Sequence, residues 1–220
     1  MKLDKNTVTV LKNFSSVNTN LVIKPGKTFS TMSPAKDILA TYTGDVEFDN
    51  TLSIYNLNEF LAVLTAFEDP SLELSDNYVT ISEGNQKVTY VYADESLLIT
   101  PTKKLNFPTP EIEFNLSKEQ LMKILKMSAI LSVDELSFIG DGDKIIARVS
   151  DSKNPSGNSF DIDLETKNSL VFKVIIKVEK IKVLPGGYKV EISSVGISKF
   201  TSDDAELQYY VGIESTSTFK

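Results

Sequence analysis

Cysteine and histidine are both absent from this chain of 220 residues, and arginine occurs once, at Arg148. The missing cysteines exclude disulfides, thiolate nucleophiles and thiolate metal sites, and they fit a reducing cytosol. The missing histidines remove the commonest general base and the commonest metal ligand together. Ser-His-Asp, Cys-His and zinc-hydrolase chemistry therefore cannot be assembled. No apolar run approaches the roughly 18 residues of a membrane span. The opening Met1-Lys2-Leu3-Asp4-Lys5-Asn6 has no apolar core, so no secretory signal is expected. A phosphate loop is lacking too: Pro185-Gly186-Gly187 has neither the lysine nor the hydroxyl that a Walker-type loop needs.

What is present is a chain with 41% hydrophobic residues, enough to bury a core. Its length suits one large domain or two of about 110 residues. The net charge is −7. A uniformly acidic surface repels nucleic acid, so DNA binding requires the lysines to be gathered on one face.

Most of the chain reads as short strands with alternating apolar and polar residues, as half-buried antiparallel sheets require. Turn signals separate them at Lys24-Pro25-Gly26, Gly84-Asn85 and Gly140-Asp141-Gly142-Asp143. Four helices interrupt the strands. The first runs from N-cap Asp4 to about Val17, with Thr7, Val8, Leu11, Phe14 and Ser15 on one arc and Lys5, Thr9, Lys12 and Ser16 opposite. The second spans about Asn56 to Ala66, and its outer face carries no cation. The third runs from Ser117 to about Ile130, opened by a Ser117–Gln120 capping box, with Lys123 and Lys126 opposite the apolar arc and Lys118 at its border. A shorter fourth, Lys177 to Leu184, is ended by Pro185 and holds Lys177, Lys180 and Lys182.

Residues 100–110 contain three prolines and no regular period, and read as an extended connector near the midpoint. The expected division is 1–104, a connector at 105–110, and 111–220. The two parts resemble each other. Leu3-Asp4-Lys5 aligns with Leu116-Ser117-Lys118, and Ile54-Tyr55-Asn56-Leu57 with Ile175-Ile176-Lys177-Val178.

Thirty Asp and Glu residues leave paired-carboxylate chemistry open on composition alone. The pattern favours blander roles. Asp141 and Asp143 flank Gly142 without the spacing of a calcium loop, so a hairpin turn is expected. Asp161 and Asp163 alternate along a solvated strand face, and Asp203 and Asp204 sit in a loop. No catalytic, metal or cofactor site emerges. The helix lysines are more informative. Lys5, Lys12, Lys118, Lys123, Lys126, Lys177, Lys180 and Lys182 gather on helices, whereas acids cluster in strands and turns. Lysine makes loose phosphate contacts without reading bases, so the pattern suits DNA of any sequence, and no aromatics are interleaved to make a single-strand stacking platform.

Several stretches, in order, resemble the sliding clamps of T-even-type tailed phages: Met1-Lys2-Leu3-Asp4-Lys5, Leu11-Lys12-Asn13-Phe14, Ile54-Tyr55-Asn56-Leu57-Asn58, Phe107-Pro108, Pro185-Gly186-Gly187-Tyr188-Lys189 and Tyr210–Thr218. The resemblance implies an α+β fold of two similar DNA-clamp domains, with antiparallel sheets outside and two helices per domain inside. It implies a homotrimeric, pseudo-sixfold ring around duplex DNA. It further implies no enzymatic activity and no cofactor or metal. An ATP-driven clamp loader opens such rings, which then hold the DNA polymerase on its template. These clamps also assist late transcription, and they act in the cytoplasm of the infected host. In the wider superfamily a partner's peptide tail docks between the connector and the closing strands of the second domain, which here offer Leu105, Phe107, Pro108, Tyr210 and Val211. The rival reading is a non-enzymatic all-β phage structural or interaction protein, which leaves the basic helices and the repeat unexplained; a carboxylate-based hydrolase ranks third.

Overall fold

In the computed structural model, which describes residues 1–154 and 156–220, the chain forms two units, Met1–Lys104 and Leu105–Lys220. The first unit starts with α1 (Lys5–Val17), whose N-cap Asp4 accepts the Thr7 N–H. Thr7, Val10, Leu11, Phe14 and Val17 are buried. The helix is thus rotated from the arc that the spacing predicts: Val10 and Val17 are inside, while Val8 and Ser15 are half-buried. Packing against neighbouring elements, which spacing cannot register, decides the difference. Those elements are β1 (Leu21–Ile23), β2 (Gly26–Met32), β3 (Ile38–Phe48), β4 (Leu52–Ile54) and α2 (Leu57–Thr65), followed by β5 (Ser71–Leu74), β6 (Tyr78–Glu83), β7 (Gln86–Val91) and a 3-10 turn at Glu95–Leu97. Pairing is antiparallel throughout: β1 with β4, β2 with β3, and β5-β6-β7 as a meander. α1 lies against α2, β2 and β3. Phe29 anchors the contact, edge-on to Phe14 at 5.7 Å and to Tyr42 at 5.4 Å between ring centroids.

The second unit contains β8 (Ile112–Leu116), α3 (Lys118–Leu131), β9 (Glu135–Asp141), β10 (Lys144–Ser150), β11 (Phe160–Lys167), β12 (Val171–Lys177), a 3-10 turn at Val178–Lys180, β13 (Tyr188–Ser193), β14 (Ile197–Ser202), β15 (Leu207–Gly212) and β16 (Thr218–Phe219). One sheet has the order β11-β10-β9-β12-β16. In the other, β8 pairs with β13, β13 with β14 and β14 with β15, all antiparallel. α3 packs on β9, β10 and β11, burying Leu121, Ile124 and Ser128. Its capping box is complete, with Ser117 and Gln120 each accepting the other's backbone N–H. Gly140 in β9 has no room for a side chain: a Cβ there would lie 2.4 Å from the Phe172 ring and 2.7 Å from the Leu170 carbonyl.

The fourth predicted helix is absent. Lys177 ends β12, opposite Glu135 of β9, and only the single turn Val178–Lys180 follows. Strand pairing claims the first residue, and Pro185 disfavours helix at the residue before it. What remains is too short to offset helix nucleation, and it is rich in β-branched Val178, Ile181 and Val183. Among its described residues the second unit therefore has one α-helix where two are expected. The aligned segments keep a common pattern nonetheless: Asp4 and Ser117 both cap helices, and Asn56, which caps α2, aligns with Lys177 before the 3-10 turn. No helix among the described residues is long and apolar enough to cross a membrane.

Candidate functional site

The eight candidate DNA-facing lysines separate into two groups. Lys5 and Lys12 on α1, and Lys118, Lys123 and Lys126 on α3, are all exposed. None of these five ammonium groups has an ion-pair or hydrogen-bond partner among the described residues. The two helices carry a single acid, Glu119, so five lysines against one glutamate give them +4 within a chain of −7. On α2 the buried side is Leu57, Phe60, Leu61 and Leu64, and the exposed side offers Asn58, Glu59 and Ala62 with no cation.

The second group is differently placed. Lys177 bonds to Asp134 at 3.1 Å and to Glu135 at 3.0 Å, and Lys180 bonds to Glu214 at 2.9 Å. Lys182 is half-buried. The hydrogen bond to Glu135, outweighing desolvation, raises the Lys177 pKa above its ordinary value. Acids far away in sequence engage these cations, so no local spacing could reveal the pairing.

The carboxylate clusters are structural. Asp141 accepts the N–H groups of Lys144 and Asp143, both at 3.0 Å, closing the β9–β10 hairpin. These bonds hold its carboxyl below the ordinary range. Across β10 and β11, Arg148 grips Asp161 with two contacts of 2.6 Å, and Lys144 meets Asp163 at 2.8 Å.

Of the five candidate partner-site residues, the structure brings two into contact. The Phe107 ring lies 6.0 Å from that of Tyr210, tilted by 46°, with Leu105 and Pro108 half-buried beside it in sequence. Val211 points the other way. It is 0% exposed, and its carbonyl accepts the Ser198 hydroxyl. A strand presents alternate residues to opposite faces, so Tyr210 and Val211 cannot both line a surface site. Sequence reasoning missed Lys199, whose Nζ lies 5.1 Å from the Phe107 ring centroid. Its pairing opposite Tyr210 in the β14–β15 register is visible only once the strands are aligned.

A. fulgidus PCNA, solved bound to the C-terminal region of FEN-1, shares this architecture with a TM-score of 0.73 over 96% of both chains, at 11% identity. The fold is that of the DNA sliding clamps. Residues 113–215 match the family described as gp45 sliding clamp, C terminal. The chain is 29% identical to the sliding clamp of Vibrio phage KVP40, covering 98% of this chain and all of that one, and 28% identical to that of Enterobacteria phage T4 over 99% of both. The chain is a DNA sliding clamp, similar along its whole length to those of T4-type phages, and is accordingly a replication processivity factor and not an enzyme.

Proposed function

We propose that three copies close head to tail around duplex DNA, with α1 and α3 of each copy turned toward the phosphates. The observation that carries this reading is the exposed, unpartnered set Lys5, Lys12, Lys118, Lys123 and Lys126 on two nearly acid-free helices. Such cations attract any sequence through counterion release and let the ring slide. Lys177 and Lys180 are committed to acids and contribute less. Once an ATP-driven loader has opened and closed the ring, topology supplies the residence time, and the clamp holds the phage polymerase on its template in the host cytoplasm. Late-transcription factors are further partners of the same surface. The partner peptide docks at the connector, near Leu105, Phe107, Pro108 and Tyr210.

The test is retention on nicked circular DNA after loading. Lys123→Glu with Lys126→Glu is expected to shorten retention and steepen its loss with salt, while Lys87→Glu on β7 changes little. Equal losses for both variants would remove the basis for DNA-facing helices.

A further inference from the structure

From Leu105 to Pro110 no backbone N–H or carbonyl has a hydrogen-bond partner among the described residues. The chain is fastened immediately afterwards. The Glu111 N–H donates to the Ile192 carbonyl at 3.0 Å, and its carboxylate accepts the Ser194 N–H and hydroxyl at 2.9 and 2.6 Å. Before that point, side-chain packing alone holds the segment, through the Phe107 ring and the half-buried Leu105, Pro108 and Pro110. The seat under the ring, by contrast, is tied down. Lys199 and Tyr210 face each other across β14 and β15. Lys199 is tied to Glu191 at 2.6 Å with 18% of its side chain exposed, and the Tyr210 hydroxyl bonds to Gln208 at 2.8 Å. A cation over one part of the ring and an aromatic against another make a place suited to an aromatic side chain. Its present occupant hangs on a strap that no backbone hydrogen bond holds among the described residues.

We propose that Phe107 is a displaceable latch: a partner's extended peptide puts its own aromatic side chain on Lys199 and Tyr210, Phe107 leaves, and the released connector backbone pairs with the peptide as a strand. This rests on the reading of the connector as the partner site. The free N–H groups of Leu105, Asn106, Phe107 and Thr109 supply the pairing, and Pro108 and Pro110 keep the strap extended. The unliganded clamp thereby keeps its apolar seat covered, and partners exchange by competing with an intramolecular ring.

The probe is a fluorescent peptide of the last ten or so residues of the cognate phage polymerase, titrated into the full-length clamp. A latch costs binding in proportion to how often it is shut. Phe107→Ala is therefore expected to tighten the peptide by roughly 5- to 50-fold, the span set by one aromatic and one cation–ring contact. Phe107→Leu should fall between, and Tyr210→Ala should weaken binding. A peptide whose aromatic residues are changed to alanine should lose the gain. If Phe107→Ala weakens the peptide or leaves it unchanged while the wild type binds, Phe107 is wall or bystander and the latch is wrong. Should neither wild type nor Phe107→Ala bind, the connector is not the partner site, and both readings fall.

Discussion

Glu135 shows how one buried charge is kept. It is 6% exposed on β9 and meets Lys177 at 3.0 Å and the Ser152 N–H at 3.1 Å. Burial pushes its pKa up, but the hydrogen bonds from Ser152 and Lys177 outweigh that, and the net shift is downward. A carboxyl whose pKa is lowered by folding stabilises the native state above its unfolded pKa, and the contribution disappears as pH falls through the lowered value. Glu135→Gln should therefore cost about 1–3 kcal/mol at neutral pH. In urea melts the gap to wild type should narrow as pH falls below the ordinary carboxylate range and through the lowered value at which the native carboxyl also takes up its proton. A constant gap from neutral to acid would mean that packing, not charge, sets the loss. Single residues were also where the sequence was least legible. Tyr209-Tyr210-Val211 is apolar throughout, and only the strand register sends Tyr210 outward and Val211 into the core.

At the scale of elements, legibility followed local chemistry. Asp4 before α1 and Ser117 with Gln120 before α3 announce their helices through caps, which need only three or four neighbouring residues. The stretch 177–184 misled for the same reason. Its lysines and the closing Pro185 suggest a short helix despite an untidy period, but strand pairing with Glu135 and the ties to Asp134 and Glu214 come from elsewhere in the chain. The cap of α3 also sets how firmly three unpartnered lysines are held in place. Ser117→Ala should destabilise the protein by about 1 kcal/mol, and hydrogen exchange should quicken first in the opening turn, at Lys118–Leu121. Protection unchanged there would show that packing on β9–β11 holds the helix start without its cap.

For the whole molecule, the assembly is the decisive property. The outermost strands of two sheets, β7 and β11, are free for pairing between copies. Val91, at the end of β7, is 71% exposed. Light scattering at tens of micromolar should give about three times 24.4 kDa, and Val91→Asp should shift it toward the monomer. Monomer alone in the wild type would oppose a ring. The pairing of β8 with β13 bears on how the second unit comes into being. Ile112 is opposite Ile192 and Leu116 opposite Tyr188, so everything from α3 to β12 intervenes. During synthesis β8 leaves the ribosome long before its partner exists, while β9 to β12 can already pair among themselves. Phe114 can already meet Phe138 of β9, 4.7 Å away between ring centroids, but the backbone of β8 stays without its β13 partner through that interval. Non-local closure of this kind is slow, so completing this sheet is expected to be a late step of biogenesis.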